Sequence, residues 1–283
     1  MAAQIIDGKA IAARVRAEVA KCAARFSKTY GRQVGLAVIV AGEDPASAVY
    51  VRNKINACAE AGIRSFSYAF PATVTEAELL GQIEALNADE AVDGILVQLP
   101  LPKGLNEQRI LAAVHPQKDV DGFHAVNVGN LSLGKPCLAA CTPQGCIELI
   151  KSTGEPMEGK HAVVIGRSNI VGKPMAMLLL QNDATVTIAH SKTQDLAALA
   201  ASADILVAAV GKKALVTADM IKPGAIVIDV GMNRDDGKLC GDVCFADAME
   251  KAGYITPVPG GVGPMTIAML LKNTVTAAEQ NHA

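Results

Sequence analysis

The stretch His161-Ala-Val-Val-Ile-Gly-Arg-Ser-Asn-Ile-Val-Gly172 decides the fold of the second half of the chain. Its first five residues predict a strand, the next seven a turn, and the residues that follow a helix. In such a strand–turn–helix unit, backbone N–H groups at the helix start can face a pyrophosphate. Ser168 stands where the Gly-x-Gly-x-x-Gly pattern has its second glycine, and the last glycine comes one place late. A dinucleotide site is predicted here, with an ordinary strand-to-helix turn as the alternative.

The end of the next predicted strand indicates which dinucleotide is bound. NAD-binding domains usually place an acidic residue about 20 residues after the glycine motif, where it binds the ribose 2′-hydroxyl. Here the strand ends His190-Ser191-Lys192 and carries no carboxylate, while Arg167 lies in the first turn. These residues suit a 2′-phosphate, so the sequence favours NADP over NAD. The alternatives are solvent-exposed charge for Arg167 and Lys192, and a water-facing strand end for His190.

A second conspicuous loop is Pro257-Val-Pro-Gly-Gly-Val-Gly-Pro-Met-Thr266. Its three glycines and three prolines fix a specific backbone path. A loop of this kind can approach a flat ring closely. Its alternative is a simple turn into the last helix.

Apolar strands alternate with helical patterns along most of the chain, which predicts parallel sheets covered on both faces. Residues 115–140 lack a clear period and are predicted as a loop-rich link beside a site. The predicted strands are 35–42, 65–70, 93–100, 161–165, 185–190, 204–210 and 225–230. The predicted helices are 4–30, 44–61 (with Asp44 as its cap), 75–88, 107–114, 143–152, 172–181, 193–201, 217–221 and 265–280. The expected architecture is two α/β units with a cleft between them.

Composition excludes several classes of protein. With 51% hydrophobic and 19% charged residues, the 283-residue chain can bury a large core and is not disordered. A net charge of −2 and the absence of tryptophan argue against broad nucleic-acid binding. No apolar run is long enough for a membrane span, and the start lacks a secretory pattern, so a cytoplasmic location is predicted. The seven cysteines are odd in number and are interpreted as small buried residues rather than as a metal site.

Six motifs, taken in order, resemble those of the bifunctional methylenetetrahydrofolate dehydrogenase/cyclohydrolases. Two are the cofactor motifs at 166–174 (GRSNIVGKP) and 257–266. The other four are YVRNK (50–54), DGILVQLP (93–100), KDVDGF (118–123) and CTPQG (141–145). The resemblance covers essentially the whole chain.

The resemblance implies a fold and a pair of reactions. It implies NADP-dependent oxidation of 5,10-methylenetetrahydrofolate to the methenyl cation, then hydrolysis to 10-formyltetrahydrofolate, in the one-carbon metabolism that serves purine biosynthesis. It implies a homodimer and a last helix that returns to the first domain. The expected domains are a folate-binding catalytic domain (1–139 with 267–283) and a Rossmann-type NADP-binding domain (140–266).

The residue types in the first-half motifs suit this chemistry. Tyr50 and Lys54 are four apart on a helix and so share a face, where the Tyr ring can stack on the folate. Gln98 ends its strand, where α/β sheets place ligands, and an amide there needs partners if it is buried. Lys54 is the best candidate for proton transfer in the hydrolysis, and Gln98 would position Lys54 and the water. Asp121 would accept hydrogen bonds from the pterin, with Asp119 as its competitor.

The predicted site has three sets of residues and no metal. The catalytic set is Tyr50, Lys54, Gln98 and Asp121. The substrate-binding set is Tyr50, Lys54, Gln98, Leu99, Asp121, Pro259, Gly260 and Gly261. The cofactor-binding set is Gly166, Arg167, Ser168, Val171, Gly172, His190, Ser191, Gly211, Gly231, Val262, Gly263 and Thr266.

Two other functions stay open from the sequence. One is a related two-domain NADP enzyme acting on a small hydroxy-acid ring, which would want a carboxylate-binding cluster in the first domain. The other is a non-catalytic NADPH-sensing or scaffold protein, which loss of Lys54 or Gln98 would have favoured.

Overall fold

The computed structural model describes the backbone of residues 2–42 and 45–282, and the side chains of these residues apart from 45–50. The predicted cap residue Asp44 lies outside the described residues. The strands are β1 (Gln4–Ile5), β2 (Gly35–Ala41), β3 (Arg64–Phe70), β4 (Gly94–Val97), β5 (His161–Ile165), β6 (Thr185–Ala189), β7 (Ile205–Ala208), β8 (Ile226–Asp229), β9 (Asn233–Asp235), β10 (Lys238–Cys240) and β11 (Tyr254–Ile255). The helices are α1 (Gly8–Tyr30), α2 (Pro45–Glu60), α3 (Glu76–Ala88), α4 (Glu107–Ala113), α5 (Ala125–Ser132), α6 (Cys141–Lys151), α7 (Gly172–Gln181), α8 (Leu196–Ala201), α9 (Phe245–Ala248) and α10 (Val262–Asn281), with a 3₁₀ turn at Ala218–Met220.

The chain forms two compact units. The six-stranded unit consists of the segment that ends at Ala12 together with Thr142–Thr266. The three-stranded unit consists of Ala13–Cys141 and the residues from Ile267 onward. Both sheets are parallel, so the predicted class of two α/β domains is confirmed.

The six-stranded unit has the strand order β1-β11-β8-β7-β5-β6. The chain leaves β5 to form β6 on one side, then crosses to form β7 on the other side of β5. Open α/β sheets bind ligands at the carboxyl ends of the strands where the order reverses in this way. Strands β7 and β8 are buried along their whole length, which accounts for their continuous apolar runs.

The start of the chain differs from the prediction. Gln4 and Ile5 were predicted as helix, but they form β1 and pair with Tyr254 and Ile255 of β11. The helix begins only at Gly8, because Asp7 Oδ1 accepts the N–H groups of the next turn, at 3.0 Å from Lys9 and 3.1 Å from Ala10. Residues up to Ala12 therefore group with the six-stranded unit, not with residues 13–139 as the sequence predicts.

The three-stranded unit has the order β3-β2-β4. Strand β2 lies in the centre and is buried apart from partly exposed Val40. Helix α3 begins with a capping box, in which Thr75 and Glu78 bond reciprocally to each other's backbone N–H groups. The hydrophobic core of the three-stranded unit includes Ile39, Leu79, Ile83 and Ile110. This packing fixes the carboxyl ends of β2 and β4 beside each other.

Two stretches were predicted less well. Residues 125–132 were predicted as loop but form α5, whose first turn is capped by His124 Nδ1 accepting from Val126 N at 3.1 Å. The predicted strand 93–100 is regular only over β4, so Gln98 lies just beyond its end. None of the helices in the described part of the chain has the length and hydrophobicity to cross a membrane.

Candidate active site

Lys54 and Gln98 form a direct hydrogen bond in the three-stranded unit. Lys54 lies on α2, is only 8% exposed, and its Nζ donates to Gln98 Oε1 at 2.9 Å. The other end of the same amide is also held, because Gln98 Nε2 donates to the carbonyl oxygen of Leu99 at 2.6 Å. A buried ammonium group is costly without partners, so this pairing fixes where the Lys54 nitrogen lies.

Asp121 reaches the same end of the sheet by a short parallel pairing. Ile95 of β4 forms a bridge with Asp119, and its N–H donates to the carbonyl of Lys118 at 2.7 Å. Because the two segments run in the same direction, the chain carries Asp121 toward the carboxyl end of β4, where Gln98 lies. The charge of Lys54 acts on the Asp121 carboxyl, so Lys54, Gln98 and Asp121 come together.

The Asp121 carboxyl titrates in an unusual range. Its pKa is raised from 3.8 to about 6, chiefly by burial; the positive charge of Lys54 opposes this rise, and the negative charge of Asp119 adds to it. The side chain is nevertheless partly exposed, so a ligand can reach it. A carboxyl of this kind changes its protonation state close to neutral pH.

Asp119, the alternative to Asp121, already accepts hydrogen bonds from other groups of the protein. It is 5% exposed and accepts N–H groups from Phe123 at 3.2 Å and His124 at 2.8 Å. Asn127 Nδ2 adds a third bond at 2.9 Å. No hydrogen bond to Asp121 occurs among the described residues. Asp119 therefore shapes the loop, and Asp121 is the carboxyl that can meet a ligand.

A residue that the sequence analysis missed anchors this loop. Asn273, buried on α10, donates through Nδ2 to the carbonyls of Val120 at 2.8 Å and Ala139 at 2.9 Å. Cys141 Sγ also donates to the Val120 carbonyl, at 3.2 Å. Burial raises the pKa of the Cys141 thiol well above 9.0, so it remains a protonated donor. The available signal was an asparagine inside the apolar pattern of the last helix.

Two predicted substrate residues carry less structural information. The backbone of Tyr50 lies on α2, four residues before Lys54, but its side chain is outside the described residues. Leu99 contributes the carbonyl that holds Gln98, and the peptide bond that follows it is cis.

In the six-stranded unit, Gly166 and Ser168 build the predicted phosphate turn. Gly166 follows β5 at φ +128°, and a Cβ there would lie 2.2 Å from the carbonyl oxygen of Ala209. Only glycine allows this approach at the reversal of strand order. Ser168 Oγ accepts the N–H groups of Val171 at 3.2 Å and Gly172 at 3.3 Å. The serine at the usual glycine position therefore caps the start of α7.

Arg167 and Ser191 lie at the same level of neighbouring strands. Ile165 of β5 pairs with Ala189 of β6, and each predicted phosphate ligand lies two residues further along. Both side chains are exposed. His190 closes the β6 turn, since its N–H donates to Thr193 Oγ1 at 2.8 Å. The register thus allows Arg167 and Ser191 to face one phosphate.

Gly211 and Gly231 have their backbone donors already occupied. The N–H of Gly211 donates to Asp242 Oδ2 at 3.0 Å, and that of Gly231 donates to Asp229 Oδ1 at 3.0 Å. Neither N–H is available to a phosphate. What these glycines offer a ligand is close approach of the backbone.

The loop at 257–266 turns earlier than predicted. Gly261 N–H donates to the Pro257 carbonyl at 2.8 Å, and α10 begins at Val262 rather than at Met265. Pro259 and Gly260 therefore lie in the turn, whereas Val262, Gly263 and Thr266 lie in the first turns of α10. Thr266 Oγ1 is 2.9 Å from Thr142 Oγ1, which ties the helix to α6.

The cysteines and acidic residues that the structure describes form no metal centre. All seven cysteines are free, and Cys141 and Cys146 are buried. Within the part of the chain that the structure describes, no group of three or more His, Cys, Asp or Glu side chains could hold a metal ion.

Comparisons with known proteins find relatives over nearly the whole chain. Residues 6–121 match the model of the tetrahydrofolate dehydrogenase/cyclohydrolase catalytic domain, and residues 140–282 that of the NAD(P)-binding domain of the same family. The chain is 61% identical over 281 residues to the bifunctional protein FolD of Ralstonia pickettii, covering 99% of this chain and 97% of that protein.

Two solved structures are also similar. The bifunctional FolD methylenetetrahydrofolate dehydrogenase/cyclohydrolase of Campylobacter jejuni is 48% identical, with a TM-score of 0.96 over 99% of this chain and 100% of that one. The Trypanosoma brucei methylenetetrahydrofolate dehydrogenase-cyclohydrolase, complexed with NADP cofactor and inhibitor, is 42% identical. Its TM-score is 0.95, over 100% of this chain and 99% of that one.

Proposed function

The chain belongs to the tetrahydrofolate dehydrogenase/cyclohydrolase family, and on that premise we infer that Lys54, Gln98 and Asp121 carry the folate chemistry. The protein is a bifunctional enzyme of one-carbon metabolism. It oxidises 5,10-methylenetetrahydrofolate to the methenyl form with NADP, and hydrolyses that product to 10-formyltetrahydrofolate. The residues that perform each step are the proposal.

The hydrogen bond from Lys54 Nζ to Gln98 Oε1, at 2.9 Å, is the observation that carries the proposal. In the hydrolysis, water adds to the methenyl carbon and one C–N bond then breaks. The water loses two protons as it becomes the formyl oxygen: the departing nitrogen gains one, and the other is released to solvent. Lys54 transfers these protons, and Gln98 holds the lysine nitrogen and orients the water. A positioned acid–base group of this kind contributes about 10²–10⁴-fold to a rate.

Asp121 recognises the pterin in this proposal. Its carboxylate accepts hydrogen bonds from the amino and ring N–H groups, and Tyr50 provides a flat surface for stacking. The absence of a bond to Asp121 among the described residues supports this role, since the oxygens remain available. Leu99, Pro259, Gly260 and Gly261 complete the proposed substrate contacts.

The oxidation needs alignment more than proton transfer. The methylene carbon gives up a hydride, for which bound NADP would be the acceptor. The chain fits this cofactor at the turn after β5, where Gly166 leaves space that a Cβ would fill. Arg167 and Ser191 are proposed to hold the 2′-phosphate, supported by their exposure and by the β5–β6 register. Gly166, Ser168, Val171, Gly172, His190, Gly211, Gly231, Val262, Gly263 and Thr266 form the rest of the proposed cofactor site.

We further propose that the enzyme is a cytoplasmic homodimer. Strand β3 is an edge strand of its sheet, because it pairs with β2 alone among the described strands. An edge with unpaired backbone groups is a natural place for a second copy to bind. Seven free cysteines suit a reducing compartment. Light scattering on the purified protein measures its mass, and a monomer at micromolar concentration would contradict the dimer.

One assay tests the proposed function. The purified protein is given methylenetetrahydrofolate and NADP, and the absorbance of the methenyl product and of NADPH is followed. Methenyltetrahydrofolate is then supplied alone, without NADP, to measure the hydrolysis separately. We expect both activities in wild type. NADP binding without turnover of either folate would instead favour a non-catalytic NADPH-sensing protein.

A further inference from the structure

Asp242 fills a backbone anion site with the protein's own carboxylate. The consecutive N–H groups of Val210, Gly211 and Lys212 donate to its two oxygens, at 2.7, 3.0 and 2.8 Å. Asn233 Nδ2 adds a fourth bond at 2.9 Å. Asp242 is completely buried. Consecutive N–H groups of this kind form a concavity that binds anions, so the carboxylate fixes the conformation of residues 210–212.

Asp229 in turn holds Asp242. Asp229 is the last residue of β8 and accepts the N–H groups of Asp242 at 2.9 Å and Val243 at 3.0 Å. It also accepts the N–H of Gly231 at 3.0 Å. A continuous path of hydrogen bonds therefore runs from the end of β8, through residues 242–243, to the loop after β7.

The loops that follow β7 and β8 lie on the same side of the point where the strand order reverses. Strands β7 and β8 are parallel neighbours in which Ala208 pairs with Asp229, so both loops leave the carboxyl edge of the sheet together. The proposed 2′-phosphate ligands follow β5 and β6, on the other side. A dinucleotide lies across this point. Its adenosine half then faces the β6 side, and its nicotinamide half faces the loops after β7 and β8.

We propose that Asp242 is a positioning residue for the nicotinamide half of NADP. It does not contact the cofactor, because its carboxylate is buried and already accepts four hydrogen bonds from protein groups. It acts by holding residues 210–212 and Asn233 in the conformation that the cofactor meets. This proposal rests on the NADP-dependent oxidation proposed above.

Asp242→Asn tests the role with little change in side-chain volume. The new amide NH₂ would face backbone N–H donors, so the loop would populate the binding conformation less of the time. Apparent affinity falls in proportion to that population. By calorimetric titration we expect the Kd of NADP to rise about tenfold or more, and the Kd of 2′,5′-ADP, which lacks the nicotinamide half, to change less than about twofold.

Hydrogen exchange supplies a readout that does not depend on affinity. The amides of residues 210–212 should exchange faster in Asp242→Asn than in wild type. Asp247→Asn is the matched control, because Asp247 is exposed on the nearby helix α9. It should leave both Kd values and the exchange unchanged. Hydrolysis of methenyltetrahydrofolate without NADP reports whether the three-stranded unit remains folded.

A milder variant covers the case in which Asp242→Asn fails to fold. Asn233→Ala removes one donor to Asp242 and should weaken NADP in the same direction, by a smaller factor. Equal weakening of NADP and 2′,5′-ADP, or unchanged NADP affinity in both variants, would overturn the positioning role. Failure of wild type to bind NADP in the same titration would instead contradict the proposed function.

Discussion

Lys54 donates to the oxygen end of the Gln98 amide, while the nitrogen end of that amide is held by the Leu99 carbonyl. The orientation of Gln98 is therefore fixed from both ends, and the lysine nitrogen is held by a neutral acceptor.

Lys54→Gln should separate the two activities. Glutamine keeps polarity and approximate length but cannot transfer a proton, so the cyclohydrolase rate should fall by about 10²–10⁴-fold. The dehydrogenase rate should fall much less, and methenyltetrahydrofolate should accumulate. Both rates are read on one preparation by supplying methylene or methenyl substrate in turn. Lys21→Gln, on the exposed face of α1, is the control. If Lys54→Gln still hydrolysed methenyltetrahydrofolate but no longer oxidised methylenetetrahydrofolate, Asp121 would become the candidate for proton transfer.

Substrate affinity should depend on pH through Asp121. Its pKa is raised to about 6, so the carboxyl gains a proton as pH falls through that value. A protonated carboxyl accepts fewer hydrogen bonds from the pterin, and the KM for methylenetetrahydrofolate should rise on going from pH 7.5 to about pH 5. Asp121→Asn should have a higher KM at pH 7.5 and a flatter profile. An identical pH profile in the variant would exclude Asp121 as the titrating group.

Arg167→Ala should reduce discrimination between cofactors. Loss of a charge-assisted bond to the 2′-phosphate costs about 1.5–3 kcal/mol, which corresponds to about 10- to 150-fold in the KM for NADP. NAD lacks this phosphate, so its KM should change little and serves as the internal control. Steady-state dehydrogenase kinetics with each cofactor measure both effects. Equal increases for the two cofactors would rule out this assignment.

Gly263→Ala is a selective probe of the segment 257–266, whose last residues form the first turn of α10. A Cβ at Gly263 meets open space, whereas one at Gly261 would lie 2.7 Å from the Pro257 oxygen and would displace the loop itself. The alanine should leave thermal stability unchanged or slightly higher, because alanine favours helices. We expect it to weaken NADP binding, measured by calorimetry. Gly81→Ala, also helical and open, is the control. Unchanged NADP affinity would make this loop a plain turn.

The sequence predicted most strands and helices because buried parallel strands are continuous apolar runs and the helices between them begin or end at strong signals. Strand β1 is only two residues long, so its pairing with β11 produces no periodic pattern. Helix α5 includes Gly129 and two asparagines, which are poor helix formers, and it is stabilised by its surroundings. One such contact is Asn127, bonded to Asp119.

The residues of the candidate site could be predicted from the sequence where they lie in recognisable motifs. Lys54, Gln98 and Asp121 each lie in a recognisable motif. The choice between Asp119 and Asp121 had to be made by resemblance, because only the folded chain shows which carboxyl is saturated by N–H groups. Asn273 and Asp242 were missed since their partners lie far away along the chain, 153 residues for Asn273 and Val120 and 32 for Asp242 and Val210.

The pairing of β1 with β11 has a consequence for dissecting the enzyme by cloning. A gene fragment encoding residues 142–266 alone would lack β1, so the backbone of Tyr254 and Ile255 would lose its partner on one side. Open sheet edges promote aggregation. Such a fragment would therefore be poorly suited to studying the nucleotide-binding unit in isolation. A permuted gene, in which a linker joins residue 266 to the first twelve residues, would restore the missing strand. An affinity tag placed ahead of Gln4 would likewise sit beside the nucleotide-binding sheet.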